Sequence, residues 1–154
     1  MTLAVLDTNV VVYRYDPRDE AKRDTARQIM NRLSATESAL LPAQVLSEFS
    51  SVSLSKIDPP LSPSEATEVV GTLRAAFDVI PLTPAVVLEA LRGVEAHTLS
   101  FYDAQIWAAS RLAQAEYLLT EDFNHGQQID GVTIVNPFID DGRDLLADVF
   151  GVPR

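Results

Sequence analysis

The sequence predicts an α/β fold with a central, mostly parallel sheet of about five strands that helices cover on both faces. Two observations predict it. Short apolar runs alternate with longer segments of helical periodicity along the 154 residues, and such connections join parallel strands. The apolar runs are rich in Val, Leu and Ile, which is typical of strands buried on both faces. We expect residues 1–154 to form one domain.

The predicted elements follow one another in a regular order. The strand candidates are Leu3–Leu6, Ala39–Leu41, Val79–Leu82, Tyr117–Thr120 and Val132–Val135. The helical segments cover about residues 19–35, 43–57, 63–77, 84–96 and 101–116. Two helix starts carry a cap followed by proline, Ser62-Pro63 with Glu65 and Thr83-Pro84.

Composition excludes several classes of protein. The chain has no cysteine, which excludes disulfides, thiolate zinc sites and a cysteine nucleophile. No apolar run approaches the ~18 residues that span a bilayer, and the first residues lack the basic region of a signal peptide. We therefore expect a cytoplasmic protein that does not enter a membrane.

Charge is unevenly distributed. The net charge of -10 argues against a nucleic-acid partner. Residues 14–32, however, hold six of the 12 basic side chains. A salt-bridged, solvated helix explains this segment as well as a binding surface does.

Two acids follow predicted strands. Asp7 ends the first apolar run, and Asp122 comes two residues after Thr120. The alternatives are a helix N-cap for Asp7 and a turn acid for Asp122. In parallel sheets, ligands bind beyond the carboxyl ends of the strands, where both acids would lie.

Two further acids lie on predicted helices. Glu48 shares a helix face with Val45 and Val52, which is costly for a carboxylate without a partner. Its alternative is a position at the edge of the apolar stripe, with the carboxylate in water. Asp103 borders an apolar face, and its spacing from Ser100 also fits a capping box.

Four carboxylates at one edge of a sheet repel one another unless a cation neutralises them. A set of oxygen ligands without cysteine favours Mg²⁺ or Mn²⁺ over zinc. Such a site indicates phosphoryl chemistry. If Asp7 is a metal ligand, we expect the capping role to pass to Thr8 or Asn9.

At this point the sequence resembles a known family, the PIN-domain ribonucleases, and within them the VapC-type toxins of toxin–antitoxin pairs. The resemblance rests on VLDTNV, on the glutamate of LSEFSSV, on SFYDAQIWAAS, and on LLTEDFNHG followed by IVNPF. It extends from Leu3 to Phe138. The family often carries another aspartate shortly after the position of Asp122, where this chain has Phe123, Asn124 and His125.

The resemblance implies a three-layer PIN-like fold and an Mg²⁺- or Mn²⁺-dependent endoribonuclease. The catalytic acids it implies are Asp7, Glu48, Asp103 and Asp122, of which Asp7, Asp103 and Asp122 hold the metal. Supporting polar residues would be Thr8, Asn9 and Thr120. As hypotheses, RNA approaches over Arg14, Arg18 and Lys22, a small antitoxin protein inhibits the enzyme, and the chain forms a homodimer.

Several alternatives remain at this stage. One is a PIN nuclease that acts in RNA processing rather than as a toxin. Another is a metal-dependent phosphatase of a different α/β family, although its usual second aspartate is replaced by Asn9. A phosphorylated receiver-like domain and a non-catalytic PIN module are further alternatives. His97 and His125 fall in predicted loops near the site, where either could contact substrate, but a surface role explains both better.

Overall fold

A computed structural model describes residues 2–151 and is built around a six-stranded sheet. The strands are β1 (Ala4–Leu6), β2 (Ala39–Pro42), β3 (Asp78–Ile80), β4 (Tyr117–Leu119), β5 (Gln128–Ile129) and β6 (Val132–Val135). Their order across the sheet is β3-β2-β1-β4-β6-β5. All neighbours are parallel except β5, which pairs antiparallel with β6. The predicted α/β class and mostly parallel sheet are confirmed, with β5 added to the five predicted strands.

Seven helices connect and follow these strands within the described part of the chain. They are α1 (Thr8–Tyr15), α2 (Glu20–Ala35), α3 (Ala43–Ser55), α4 (Pro63–Ala76), α5 (Pro84–His97), α6 (Phe101–Leu112) and α7 (Gly142–Val149). Helices α2 to α6 correspond to the five predicted ones, whereas α1 and α7 were not predicted. Helix α6 ends before the predicted residue 116 because Gln114 adopts a φ of 59°, which a continuing helix does not allow. None of the described helices is both long and apolar enough to cross a bilayer.

The centre of the sheet is buried on both faces. Ala4, Val5 and Leu6 of β1 have no exposed surface, although successive residues of a strand point to opposite faces. In the register of the sheet, Val5 pairs with Leu40 on one side and with Leu118 on the other. Because β1 and β4 are parallel neighbours, the residues that follow them meet at one edge of the sheet.

Two helix starts have the sequence spacing of a capping box, and the box forms at only one of them. Ser62 accepts a hydrogen bond from the backbone N–H of Glu65, and the Glu65 carboxylate accepts one from Ser62, as the capping-box prediction requires. Ser100 precedes α6 without such a bond. Its hydroxyl donates instead to the Asp103 carboxylate, over 2.8 Å. The alternative that Asp103 completes a capping box is therefore wrong.

Candidate metal centre

Three carboxylates meet beyond the carboxyl ends of the two central strands. Asp7 directly follows β1, Asp122 lies in the loop after β4, and Asp103 is in the first turn of α6. One carboxylate oxygen from each lies within 4.8 Å of the others. Asp7 is buried, Asp103 is half-buried and Asp122 is exposed, so the cluster opens to solvent on one side. The structure thus brings together the three acids predicted as metal ligands.

The Asp7 carboxylate is held by two hydrogen bonds. One oxygen accepts from the backbone N–H of Thr8 at 2.6 Å, and the other accepts from the hydroxyl of Thr120 at 2.7 Å. Asp7 is therefore itself the N-cap of α1. The expectation that capping passes to Thr8 or Asn9 is wrong, because one carboxylate has enough acceptor positions to cap a helix and face the cluster.

Burial dominates the electrostatics of Asp7. Only 3% of the residue is exposed, and this loss of solvation raises the pKa of its carboxyl to about 7. The hydrogen bonds from Thr120 and Thr8 lower the pKa, while the negative charges of Asp122 and Asp103 raise it further. A buried acid beside two other acids is a group that a cation would stabilise in its charged form.

Asn9 and Thr120 join the loop of Asp122 to α1. The side-chain amide of Asn9 donates to Thr120 and to the Asp122 carboxylate, each at 3.2 Å. The backbone N–H of Asp122 donates to the Thr120 hydroxyl at 3.0 Å. Burial and the nearby charge of Asp103 raise the pKa of Asp122. The predicted supporting residues Asn9 and Thr120 therefore contact the acids of the cluster.

Glu48 lies beside the cluster without belonging to it. Its two carboxylate oxygens accept separate hydrogen bonds, one from the Thr8 hydroxyl and one from the Gln44 amide at 2.9 Å. Gln105 in turn donates to the Gln44 side-chain oxygen at 2.6 Å. We call Gln105, Gln44 and Glu48 the amide relay. It fixes the orientation of the Glu48 carboxylate next to the three aspartates.

Sequence reasoning missed the two glutamines of the amide relay. Gln44 precedes Glu48 by four residues, the spacing at which side chains meet on a helix. Gln105 is a polar residue within a run of α6 that is otherwise largely apolar, and it is buried. A buried amide of this kind requires a partner, and this signal was present in the sequence.

The three residues predicted to contact RNA have different surroundings. Arg18 forms an ion pair with Asp16 at 2.7 Å and also donates to the Lys56 carbonyl. Lys22 forms an ion pair with Glu121 at 3.1 Å, and Glu121 directly precedes Asp122. Lys22 is therefore close to the loop of the cluster, whereas Arg18 is bound to its own acid. Arg14 lies over the ring of Tyr15, at 5.0 Å.

The two histidines have partners of their own. His97 lies 3.0 Å from the carboxylate of Asp130 in the turn between β5 and β6. The Nδ1 atom of His125 accepts a hydrogen bond from the backbone N–H of Asn136 at 3.0 Å. This bond assigns the proton of a neutral His125 to Nε2. Both contacts connect chain segments, which agrees with structural roles.

The donor set of the cluster fits a hard divalent cation. It consists of three carboxylates with no sulfur or imidazole ligand, a set that suits Mg²⁺ or Mn²⁺. The buried Asp7 carboxylate supplies a negative charge that needs neutralising, while exposed Asp122 leaves one side of the cluster open to solvent. The observed geometry thus supports a metal site of oxygen ligands at this edge of the sheet.

Solved structures resemble this chain at low sequence identity. A chain of a toxin–antitoxin complex from Klebsiella pneumoniae is 19% identical, with a TM-score of 0.63; the match covers 87% of this chain and 97% of that one. VapC20 of Mycobacterium tuberculosis, a sarcin–ricin loop cleaving toxin, is 18% identical, with a TM-score of 0.58 and coverage of 75% and 86%. VapBC2 of Rickettsia felis, solved with a promoter DNA fragment, is 12% identical, with a TM-score of 0.61 and coverage of 86% and 97%.

These likenesses establish the fold, and the sequence itself establishes the family. No curated protein matches the chain in sequence. The sequence model of the PIN domain matches residues 4–128, which is most of the chain and includes all three aspartates of the cluster. The family resemblance predicted from the motifs is therefore confirmed. The chain belongs to the PIN domain family.

Proposed function

We propose that this protein is an Mg²⁺- or Mn²⁺-dependent endoribonuclease and the toxin of a type II toxin–antitoxin pair. The observation that carries the proposal is the cluster of Asp7, Asp103 and Asp122, whose carboxylates come within one ligand sphere. Membership of the PIN family supports nuclease chemistry and removes the alternative of a phosphatase from another α/β family. The toxin assignment draws support from the toxins among the structural neighbours.

In the proposed reaction, Asp7, Asp103 and Asp122 hold the cation. When bound, the cation neutralises the phosphate and lowers the pKa of a water molecule. Glu48, oriented by Thr8 and Gln44, accepts the proton of the attacking water at its carboxylate. Water attacks the phosphorus and the bond to the 3′-oxygen breaks, so the products carry a 5′-phosphate and a 3′-hydroxyl, and the 2′-hydroxyl is not used.

The Asn9 and Thr120 side chains hold the loop of Asp122 in the proposed reaction. Their hydrogen bonds to Asp122 and Asp7 connect the two strand ends directly. Ligands fixed in this way need little rearrangement when the cation and substrate bind. The predicted approach of RNA over Arg14, Arg18 and Lys22 stays part of the proposal. The ion pair of Lys22 with Glu121 supports it at Lys22, because it places this side chain next to the loop of Asp122.

We further propose an antitoxin partner, a homodimer and a cytoplasmic location. The Klebsiella pneumoniae neighbour comes from a toxin–antitoxin complex. An antitoxin arginine placed in the acidic cluster would satisfy the same charges as the cation. The exposed leucines on and before α5, Leu82, Leu88 and Leu91, support a homodimer because they form apolar surface that a second copy would cover.

Cleavage by the purified protein tests the nuclease. Mixed cellular RNA is incubated with Mg²⁺ or Mn²⁺, with and without EDTA, using wild type, Asp7→Asn and the surface control Asp24→Asn. We expect EDTA-sensitive cleavage by wild type and by Asp24→Asn, but none by folded Asp7→Asn. Equal cleavage by Asp7→Asn would remove the site assignment.

Induction in cells tests the toxin assignment separately. A toxin arrests growth through its nuclease activity, and co-expression of the cognate antitoxin restores growth. Mapping of RNA ends after induction identifies the cleaved RNA. A nuclease that cleaves RNA in vitro but leaves growth unchanged would instead support a role in RNA processing.

A further inference from the structure

A basic groove lies between α2 and the C-terminal helix α7. Its volume is about 550 Å³. Arg32 of α2 and Arg143 of α7 line it from opposite sides, and Lys22 lines its other end. Helix α7 lies outside residues 4–128, the part that matches the PIN family. The groove therefore includes residues beyond the part of the chain that the sequence model matches.

Two of the three basic side chains that line the groove, Arg32 and Arg143, are not neutralised within the described chain, whereas Lys22 pairs with Glu121. Across residues 2–151, no ion pair joins Arg32 or Arg143 to an acid. Asp140 is the one acid among the described lining residues. Arg18, in contrast, already binds Asp16. Arg32 and Arg143 thus offer guanidinium groups to an anionic ligand, while Arg18 must first leave its partner.

Aromatic side chains accompany the basic ones. Phe138 and Phe150 line the groove, and the Arg32 guanidinium lies over the Phe150 ring at 4.4 Å. A positively charged groove with aromatic walls is the combination that binds single-stranded nucleic acid, through phosphate contacts and base stacking. A cavity of this size takes nucleotides of a single strand rather than a duplex.

The groove is continuous with the metal centre. The Lys22 ammonium lies 5.6 Å from the centre of the Phe138 ring. It also forms an ion pair with Glu121, the neighbour of Asp122. From Lys22 to Arg32 the helix rises about 15 Å. A strand that passes the aspartates can therefore continue along α2 toward Arg32 and Arg143.

From this geometry we infer that the α2–α7 groove binds the single-stranded RNA that flanks the cleavage site, with Arg32 and Arg143 on its phosphates. The inference rests on the proposed nuclease function, because it identifies the substrate of that function as single-stranded at this position. It also explains how a protein of net charge -10 holds RNA: the basic contact is local.

Binding without cleavage tests this inference. Fluorescence anisotropy of a labelled, unstructured RNA oligonucleotide is measured in EDTA across a range of salt concentrations. The proteins are wild type, Arg32→Gln/Arg143→Gln, the charge-preserving Arg32→Lys/Arg143→Lys, and Arg27→Gln. Arg27 is a matched control because it is exposed on α2 outside the groove.

We expect the double glutamine variant to bind several-fold more weakly, with a salt slope lowered by about 0.7 for each lost phosphate contact, about 1.4 in all. The lysine variant and Arg27→Gln should retain the slope of wild type. Thermal unfolding confirms that the variants fold. The binding assay contains EDTA and therefore measures RNA affinity without cleavage. A failure of the proposed nuclease function appears in the cleavage assay, whereas a failure of the groove assignment appears in the salt slope of binding.

Four outcomes would overturn the inference. One is an unchanged slope in the double glutamine variant, and another is an equal loss in Arg27→Gln. The third is a double variant that keeps its RNA affinity but no longer binds its cognate antitoxin, because the groove would then be a protein-binding surface. Absence of RNA binding by wild type likewise contradicts it.

Discussion

The carboxyl of Asp7 accepts a backbone and a side-chain hydrogen bond while it is almost completely removed from solvent. Two hydrogen bonds do not compensate for the lost hydration, so its pKa rises to about 7. The charged form of Asp7 is therefore costly in the metal-free protein. Functional sites often lower the stability of the folded protein in this way, because the same buried charge favours binding of a ligand of opposite charge.

The affinity for Mn²⁺ should depend on pH through the protonation state of Asp7. A cation binds the carboxylate and competes with the proton, so affinity should rise by up to about tenfold per pH unit below the pKa and level off above about pH 7. Isothermal titration calorimetry across this range measures it. An affinity that is constant between about pH 5 and about pH 7 would contradict the role of Asp7.

Replacement of Asp7 by asparagine should stabilise the metal-free protein at neutral and higher pH. The folded pKa of Asp7 is about 7 and its ordinary value is 3.8, so the folded chain holds this proton more tightly than the unfolded chain does. The contribution of this proton to the free energy of unfolding is therefore fully present below about pH 4 and is lost as pH rises through 7. Above pH 7, Asp7→Asn avoids a cost of up to about 4 kcal/mol.

Urea unfolding in EDTA at several pH values checks this expectation. Asp24→Asn is the control, because Asp24 is an exposed helix residue and its change should shift stability little at any pH. If wild type and Asp7→Asn respond to pH in the same way, the raised pKa of Asp7 is excluded.

We expect Gln44 to affect the rate of RNA cleavage because it orients Glu48. Gln44→Met removes the amide that donates to Glu48 and accepts from Gln105, so Glu48 loses its fixed orientation. We expect kcat to fall by about tenfold or more with little change in Mn²⁺ affinity, because Glu48 is outside the aspartate cluster. Ser47→Ala, on the same helix, is the control. An equal loss of Mn²⁺ affinity would mean that the relay supports the cluster itself.

At the scale of elements, helices α5 and α6 are packed closely at Gly93. A Cβ atom at this position would lie 2.5 Å from the Trp107 ring, and Trp107 is completely buried. The Trp107 indole is also fixed by a hydrogen bond to the Ile129 carbonyl of β5. Glycine is therefore required here by the approach of the two helices, and the ring has little freedom to move away.

Alanine at Gly93 should destabilise the protein even though alanine favours helices. Overpacking against Trp107 should cost about 1–3 kcal/mol. Gly71→Ala in α4 is the matched control, because an added Cβ there has no atom within 4 Å, and it should stabilise by about 0.5–1 kcal/mol. Chemical denaturation of both variants compares them, and equal free energies of unfolding would refute the packing argument.

The predicted elements agree with the structure where the signal is strong and local. Strand β6 has the predicted bounds, and the capping box fixes the start of α4. Helix α1 was missed because its segment TNVVVYRY is rich in β-branched residues, which favour strands, and tertiary packing overrides that preference. Strand β5 has two residues and pairs only with β6, so the sequence contains almost no signal for it.

At the scale of the whole molecule, metal binding and folding should be coupled. The cluster joins the residue after β1, the first turn of α6 and the loop after β4, so a cation held by all three acids would bind the folded chain and not the unfolded one. Free Mn²⁺ at about 100 times its Kd should therefore stabilise the protein by about 2.7 kcal/mol.

Thermal or urea unfolding with and without Mn²⁺ measures this stabilisation, and EDTA should reverse it. Asp7→Asn should gain little from the metal, and Asp24→Asn should gain as much as wild type. Equal stabilisation of Asp7→Asn would show that the metal binds at another place in the protein.

The sequence by itself determined the α/β class, the order of most elements and the acids that end the central strands. These features follow from periodicity, from caps and from the rule that parallel strands direct their carboxyl ends to one edge. It also placed Glu48 and Asp103 beside apolar helix faces, where a carboxylate needs a partner. Each of these signals is local in the chain.

Only the tertiary structure decided how these groups interact. Thr120 donates to Asp7 across 113 positions of sequence, and Thr8 donates to Glu48 across 40. The raised pKa of Asp7, its dual use as a cap, and the ion pair that occupies Arg18 all depend on burial and on distances between groups. Sequence spacing determines which residues share a helix face or a strand end, but solvation and contact are properties of the packed chain.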